Sequence, residues 1–94
     1  MSELPSAILF CCTMNAIRSP MAEGIMKLLH GRQIYVDSCG VRLGQELDGF
    51  VMEVMDEIGI DMSKHKPKTF DQLEDSFYDR IITLSPEAHH HALE

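Results

Sequence analysis

The stretch "CCTMNAIRSP", residues 11 to 20, most restricts how this chain can fold. The residues before it, "AILFCC", form a short continuous apolar run, which is typical of a strand buried on both faces. The residues after it predict a helix with Ser19 as N-cap, Pro20 at the first position and Gly31 at the end. We therefore expect a strand over Ala7–Cys12, a tight turn and a helix, the arrangement in which α/β folds bind anions.

The rest of the chain alternates strands and helices without an internal repeat. A second strand is predicted over Gln33–Asp37, and a second helix begins near Asp48 and ends at Gly59. A short helix follows where Thr69 and Gln72 have capping-box spacing. The segment "YDRIITL" predicts a third strand, and "SPEAHHHALE" opens a further helix. The predicted apolar stripe of the second helix consists of Phe50, Val51, Val54, Met55 and Ile58.

This order of elements predicts the α/β class, with a single domain over residues 1–94 and a short parallel sheet between helices. Because a final helix of this kind usually leads to another strand, we interpret the domain as C-terminally incomplete, lacking its last strand and helix. In that case the third strand offers an unpaired edge, and we expect a tendency to form homodimers.

The composition argues against several classes of partner. A formal charge of −7 argues against broad binding to nucleic acid or to an anionic membrane, so any phosphate site must rest on local geometry. The cysteines Cys11, Cys12 and Cys39 lack the spacing of a zinc site or a redox pair, and an odd number suits a reducing compartment. The N-terminal apolar run is too short for a signal peptide or a membrane span. We therefore expect a cytoplasmic protein that uses no metal and no cofactor.

Five residues separate Cys12 from Arg18, a spacing that can place a thiol and a guanidinium around one phosphoryl group. A five-residue turn after a strand can point successive N–H groups at the phosphoryl oxygens, and the planar guanidinium of Arg18 can bind two of them. The helix N-terminus, the arginine and a hydrogen bond from Ser19 would all favour the Cys12 thiolate. Asn15 tolerates a left-handed backbone and can tie the turn together. The spacing alone also fits an inert, buried thiol at the end of a strand.

The segment "ILFCCTMNAIRSPMAEGIM" resembles the active-site segment of the low-molecular-weight protein tyrosine phosphatases, typically Cys-Thr-Gly-Asn-x-x-Arg-Ser-Pro-Met-Ala-Glu. "VDSCG", "EIGIDMSKHKPK" and "FYDRIITL" resemble later segments of that family, so the similarity spans nearly the whole chain. The resemblance implies a three-layer α/β/α fold, phosphatase I-like and Rossmann-like. It implies hydrolysis of phosphomonoesters through a phosphocysteine on Cys12, with Arg18 binding the phosphate. The implied partners are a phosphorylated protein or small phosphoester and inorganic phosphate. The residues expected to line the substrate site are Thr13, Met14, Asn15, Ala16, Ile17 and Ser19.

Three departures from the family pattern lie inside the loop. Met14 replaces a glycine, so we expect strain or a different loop backbone. Ile17 replaces a second cysteine found in many members, so their protective disulfide cannot form in that way, and Cys39 is an untested substitute. Ala16 lies where related enzymes distinguish phosphotyrosine from phosphoarginine, so a phosphoarginine phosphatase stays open as an alternative.

The fourth departure concerns the general acid of the family, an aspartate in an Asp-Pro pair, which these 94 residues do not contain. Loss of a general acid costs about 10²–10⁴-fold in rate, and Asp48 and Asp71 are weak substitutes. A domain that binds phosphate or a phosphoprotein without turnover is therefore an alternative. An arsenate reductase is the less favoured enzyme: we expect it to resemble this chain less, it needs two cysteines after the third strand, and it usually has glutamine at the place of Pro20.

The remaining polar motifs favour structural roles. "HHH" at 89–91 predicts a solvated helix face, because consecutive helical residues point about 100° apart. The lysines of "SKHKPK" are expected to be solvated, and His65 matches a family histidine near the active site, where it can support the loop. Asp37 and Ser38 can buttress the loop by hydrogen bonds or belong to a plain turn.

Overall fold

The computed structural model describes residues 5–15, 17–42, 49–63, 65–73 and 78–93. Within these ranges strands and helices alternate in the predicted order, which confirms the α/β class. None of the helices in these ranges has the length and apolar character needed to cross a membrane. The strands are β1 (Ala7–Cys12), β2 (Tyr35–Gly40) and β3 (Arg80–Thr83), and the helices are α1 (Arg18–His30), α2 (Gly49–Glu57), a short 3₁₀ helix (Phe70–Gln72) and α3 (Pro86–Ala92).

β1 lies at the centre of a parallel sheet with the strand order β2-β1-β3. Cys12 pairs with Gly40 at the end of β2, and Cys11 pairs with Thr83 at the end of β3. The three strands therefore end at the same edge of the sheet, and the residues that follow them meet there. This carboxyl edge is where parallel α/β sheets bind ligands.

Alternate side chains of β1 face two different helix layers. Ile8 and Phe10 belong to an apolar cluster that packs against α1. Leu9 and Cys11 face the opposite side, where Ala88 of α3 packs against them. The sheet thus lies between two layers of helices, and the three-layer fold is confirmed, as is the burial of β1 on both faces.

α2 packs against α1 through a third apolar cluster that includes Met55, Ile60 and Met62. A Cβ atom at Gly24 of α1 would lie 3.1 Å from atoms of the Met55 and Met62 side chains. These distances leave little room for a side chain, so glycine at residue 24 lets α1 approach this cluster closely.

The predicted apolar stripe of α2 is confirmed only in part. Val51 and Met55 are buried, but Phe50 is 72% exposed. Ile58 is 52% exposed because it lies beyond the last helical residue, in the turn that follows α2.

The predicted helix ends and the capping box are confirmed. α1 ends at His30 with Gly31 as its C-cap, and Gly59 after α2 has a φ of +83°, a left-handed conformation that favours glycine. The Thr69 N–H donates to Oε1 of Gln72 at 3.0 Å at the start of the 3₁₀ helix.

The predicted bounds of β2 are wrong. The strand spans Tyr35–Gly40 instead of Gln33–Asp37, because residues 38–40 continue the parallel ladder opposite Phe10–Cys12. The residues "DSCG" have the composition of a turn. They form a strand because β1 is long enough to pair with them up to Gly40.

The predicted start of α1 is also wrong. The helix begins at Arg18, and Ile17 rather than Ser19 takes the N-cap position, without a side-chain cap. The Ser19 hydroxyl lies instead against the sulfur of Cys12. Pro20 is tolerated at the third helical position because the first four N–H groups of a helix have no partner within it.

β3 forms one edge of the sheet, and both of its faces carry exposed apolar residues. Ile81 is 48% exposed and Ile82 is 39% exposed, and as neighbours in a strand they point to opposite faces. Dimerisation along this edge stays a prediction.

Leu9→Ala is expected to lower the free energy of unfolding by about 2–5 kcal/mol, because a buried leucine at the centre of the sheet would leave a cavity. Leu28→Ala on α1 is the matched control, since Leu28 is 59% exposed and its truncation should cost less than about 0.5 kcal/mol. Urea denaturation followed by circular dichroism measures both values. Equal losses for the two variants would contradict the packing described here.

Candidate active site

The loop of residues 12–18, called the 12–18 loop below, begins at the sulfur of Cys12. Cys12 is buried, and its Sγ lies 2.8 Å from Oγ of Ser19 and accepts a hydrogen bond from the Asn15 N–H at 3.1 Å. When the sulfur is ionised, the Ser19 hydroxyl can also donate to it. Hydrogen bonds to the charged form favour the thiolate, which is the nucleophilic form of cysteine.

The side chain of Asn15 ties the loop to three parts of the fold. Asn15 is fully buried and has a φ of +57°, the left-handed conformation that its predicted role requires. Its Nδ2 donates to Oγ of Ser19 at 2.8 Å and to Oγ of Ser38 at 2.9 Å. Its Oδ1 accepts the N–H of Lys68 at 3.0 Å. The amide thereby joins α1, β2 and the segment that leads to the 3₁₀ helix.

Gly40 allows the loop to lie directly on the end of β2. A Cβ atom at this position would lie 2.7 Å from the backbone nitrogen of Asn15 and 2.9 Å from the carbonyl oxygen of Thr13. Both distances are too short for a carbon atom, so a side chain at residue 40 would displace the loop.

Three further loop residues, Met14, Ile17 and Ala16, depart from the family pattern. Met14 is partly buried and does not have the positive φ that would favour glycine, since among the described non-glycine residues Asn15 alone has a positive φ. A loop backbone that differs from the family's stays a prediction. The side chain of Ile17 is 49% exposed. Ala16 lies outside the described residues, so its predicted role in substrate choice stays a prediction.

Arg18 and Thr13 both contact the turn that follows β3. Nη1 of Arg18 donates to the carbonyl oxygen of Leu84 at 2.7 Å, and Oγ1 of Thr13 donates to Oγ of Ser85 at 3.1 Å. Arg18 is exposed. Because a guanidinium carries five N–H donors, this bond leaves others for the oxygens of a bound anion.

Behind the loop, the carboxylate of Glu23 on α1 is buried and paired. Glu23 accepts a hydrogen bond from the hydroxyl of Ser38, which in turn accepts from Asn15, and it forms an ion pair with Lys27. A continuous series of polar contacts therefore runs from the surface at Lys27 to the groups around the Cys12 sulfur.

His65 lies against Glu23, with Nδ1 of the imidazole 3.8 Å from Oε1 of the carboxylate. Its Nε2 is buried without a hydrogen-bond partner among the described residues. Burial lowers the pKa of His65 below 6.5, and the Glu23 carboxylate acts in the opposite direction without cancelling that effect. A neutral imidazole therefore packs behind the residues that hold the loop.

Cys11 and Cys39 face each other across the β1–β2 pair. Their sulfur atoms are 3.7 Å apart, and both residues are fully buried. The hydrogen bond to Cys11 is the main cause that raises the pKa of the Cys39 thiol well above its usual range, and burial is the second. Cys39 is thus a protonated interior thiol directed at Cys11, not at Cys12, since Cys11 and Cys12 point to opposite faces of β1.

The predictions for the lysines of "SKHKPK" and for the two substitute general acids, Asp48 and Asp71, have different outcomes. Asp48 and Lys64 lie outside the described residues, and Asp71 is exposed in the 3₁₀ helix. Lys66 is exposed, as expected, but Lys68 is not a solvated lysine, because its Nζ pairs with the buried carboxylate of Asp37.

The histidine run lies on α3, where His89 and His90 are exposed and their rings meet edge to face at 6.1 Å. Across the described ranges, no three His, Cys, Asp or Glu side chains are grouped as metal ligands.

Several residues around the site were not singled out from the sequence. Glu23 had a signal in its spacing, because it lies four residues after Ser19 and therefore on the same face of α1. The others follow strand ends or contact the loop through their backbone, which spacing alone does not reveal. These residues are Gly40, Leu84 and Ser85.

Comparisons with known proteins place the chain among related proteins of one family. Residues 7–94 match the family described as Low molecular weight phosphotyrosine protein phosphatase. A glutaredoxin arsenate reductase from Synechocystis sp. is 34% identical over 77 residues, which are 82% of this chain and 58% of that protein. The structure of an arsenate reductase in the phosphate binding state has a TM-score of 0.76 at 33% identity, covering 84% of this chain and 60% of its own. The structure of a low molecular weight protein tyrosine phosphatase from T. tengcongensis has a TM-score of 0.76 at 30% identity. The match covers 94% of this chain and 64% of that one.

Two points follow from these comparisons. The chain spans about three fifths of the length of the relatives it matches. The expectation that arsenate reductases resemble this chain less is wrong, because those two relatives are 34% and 33% identical and the phosphatase is 30% identical.

The lowered pKa of His65 predicts how stability depends on pH. Below about pH 6.5, the unfolded chain binds more protons at this residue than the folded chain does, so the free energy of unfolding falls. The neutral imidazole contributes fully to the free energy of unfolding above the pKa of His65 in the unfolded chain. This contribution is lost as the pH falls through the pKa of His65 in the folded chain. We expect His65→Gln to flatten this fall between about pH 7.5 and 5, measured by urea denaturation at each pH.

The exposed His89 supplies the control for this experiment, and His89→Gln should keep the wild-type dependence on pH. A His65→Gln curve parallel to that of the wild type would contradict the assignment.

Proposed function

The chain belongs to the low-molecular-weight phosphotyrosine protein phosphatase family, and on that premise we propose that it hydrolyses phosphomonoesters in the manner of a protein tyrosine phosphatase. The observation that supports this most directly is the sulfur of Cys12, at the start of a loop that ends with Arg18. This sulfur accepts a hydrogen bond from the Asn15 N–H and lies 2.8 Å from Oγ of Ser19, which can donate to it when the sulfur is ionised. The proposed substrate is a phosphorylated protein or a small phosphoester, and inorganic phosphate is the product.

In the first step the Cys12 thiolate attacks phosphorus. A sulfur–phosphorus bond forms as the bond between phosphorus and the ester oxygen breaks, and the leaving oxygen takes a proton from an acid or from water. Arg18 and the N–H groups of the 12–18 loop stabilise the charge on the other phosphoryl oxygens. Their role is positioning and charge stabilisation, which provide most of the catalysis in reactions of this kind.

In the second step water attacks the phosphorus of the phosphocysteine. The sulfur–phosphorus bond breaks, the water proton passes to solvent or to a base, and inorganic phosphate leaves. Ser19 helps here because its hydroxyl hydrogen bond stabilises the departing Cys12 thiolate.

Departure of the first leaving group is the demanding part for this chain. The 94 residues contain no Asp-Pro pair, and an unprotonated leaving oxygen slows the first step by about 10²–10⁴-fold. Aryl phosphates, whose leaving groups are stable as anions, are therefore the substrates on which activity is easiest to detect.

An arsenate reductase is the second candidate, favoured by the names of two of the relatives. Arsenate has the shape and charge of phosphate, so Cys12 can form a sulfur–arsenic bond with loss of water. A second thiol then attacks the Cys12 sulfur, a disulfide forms, and arsenic leaves as arsenite with the bonding electrons. Residues 40–94 contain no cysteine and Cys39 is buried against Cys11, so in this route the second thiol comes from outside these 94 residues.

Cys12→Ser is expected to lower hydrolysis of p-nitrophenyl phosphate by at least about 10³-fold, because serine cannot supply a thiolate. Cys39→Ala is the control and should hydrolyse the ester at the wild-type rate. Acid quenching during turnover, followed by mass spectrometry, should find a phosphoryl group on the Cys12 peptide of the wild type and none in Cys12→Ser.

Two other results would overturn this proposal. Phosphate that protects Cys12 from iodoacetate without any ester hydrolysis would identify a phosphate-binding domain without turnover. Arsenite formed from arsenate and dithiothreitol, again without ester hydrolysis, would identify an arsenate reductase.

A further inference from the structure

The turn of Leu84 and Ser85, between β3 and α3, contacts the 12–18 loop close to both of its ends. Near the start of the loop, Oγ1 of Thr13 donates to Oγ of Ser85 at 3.1 Å. At its end, Nη1 of Arg18 donates to the carbonyl oxygen of Leu84 at 2.7 Å. The contacting residues are 66 and 72 positions apart in the chain, so β3 must pair with β1 for these bonds to exist.

This turn is itself held firmly by the fold. The Leu84 N–H donates to the carbonyl oxygen of Cys11 at 2.7 Å, next to the last pair of the β1–β3 ladder. Oγ of Ser85 also accepts the N–H of Ala88 at 3.1 Å, in the first turn of α3, and Ala88 is fully buried. Ser85 therefore presents its hydroxyl to Thr13 from a fixed position.

The backbone of Thr13 is held as well as its side chain. Its carbonyl oxygen accepts the N–H groups of Val41 at 2.8 Å and of Arg42 at 3.1 Å. The guanidinium of Arg42 in turn pairs with Glu87 in the first turn of α3. Arg42 therefore links the backbone of Thr13 to the start of α3. The hydrogen bond that Oγ1 of Thr13 donates to Ser85 sets the orientation of the Thr13 side chain.

The bonds from this turn act on different atoms from those that hold the nucleophile. Asn15 and Ser19 contact the Cys12 sulfur directly. Among the described residues of the 12–18 loop, Ser85 bonds to Thr13 and Leu84 bonds to the guanidinium of Arg18. An exposed arginine that is free of such a bond would lose more side-chain freedom when it binds an anion. The expected effect of the turn is therefore on phosphate affinity.

We propose that Ser85 is a positioning residue that acts through Thr13 to hold the 12–18 loop in its phosphate-binding shape. This inference rests on the proposed function, because it assigns Ser85 a part in binding the phosphoryl group of the substrate. It leaves the hydrogen bonds on the Cys12 sulfur unchanged. The signature of this role is weaker phosphate binding with unaltered reactivity of Cys12.

The test measures the dissociation constant of inorganic phosphate from its protection of Cys12 against iodoacetate, a readout that needs no turnover. Ser85→Ala should raise this constant several-fold, up to about tenfold, as expected for one lost hydrogen bond. The rate of alkylation without phosphate should stay at the wild-type value. Ser85→Thr, which keeps the hydroxyl, should restore phosphate binding, and Ser63→Ala, at an exposed serine elsewhere, should leave binding unchanged.

Thr13→Val removes the same hydrogen bond without touching the N–H of Ala88, so it separates the effect on the loop from any loss of stability in α3. It should raise the dissociation constant as much as Ser85→Ala does, and the double variant should bind phosphate no more weakly than either single variant.

Three results would overturn the inference: wild-type phosphate binding in Ser85→Ala, additive losses in the double variant, or an altered alkylation rate without phosphate. If Ser85→Ala does not fold, wild-type binding in Thr13→Val overturns it equally. If phosphate does not protect Cys12 of the wild-type chain against iodoacetate, both the proposed function and this inference fail. If phosphate protects the wild type and Ser85→Ala equally well, only the inference about Ser85 fails.

Discussion

The side-chain amide of Asn15 is the interaction on which the candidate site depends. It is fully buried and bonds to Ser19 on α1, to Ser38 on β2 and to the backbone of Lys68. A buried polar group that loses its partner costs about 1–3 kcal/mol, so each of these bonds holds the others in place. The N–H of the same residue donates to the Cys12 sulfur, and one residue therefore sets both the shape of the loop and the surroundings of the nucleophile.

This polar cluster lies inside a small domain whose other interior residues are mostly apolar. Two buried carboxylates, Glu23 and Asp37, lie close to it, and each forms an ion pair with a lysine, Lys27 and Lys68. A buried charge without such a partner would cost several kcal/mol, roughly the whole net stability of a small domain. The pairing thus allows acidic groups behind a site that is proposed to bind an anion.

The chain is similar to relatives named for two different activities, an arsenate reductase and a tyrosine phosphatase. Both of the reactions proposed above begin with a thiolate attacking the central atom of a tetrahedral oxyanion, and the proposed role of the 12–18 loop belongs to that step. The later steps differ, since a phosphatase needs a proton for the leaving oxygen and a reductase needs a second thiol. Groups outside the 12–18 loop therefore decide between the two activities, and fold alone does not.

The sequence by itself determined the order of the elements, the spacing between Cys12 and Arg18, the helix end at Gly59 and the left-handed residue Asn15. These features depend on residues only a few positions apart, whose conformational preferences are local. The sequence correctly predicted the contact between Ser19 and the Cys12 sulfur. It misjudged the end of β2 at Gly40 and the N-cap of α1, because local patterns predicted a turn after Asp37 and an N-cap at Ser19. Only the tertiary structure decided which partners the polar groups take, since parallel pairing with β1 brings Gly40 under the loop and Ser85 to its rim. The physical reason is that hydrogen-bond partners in a parallel sheet come from distant parts of the chain.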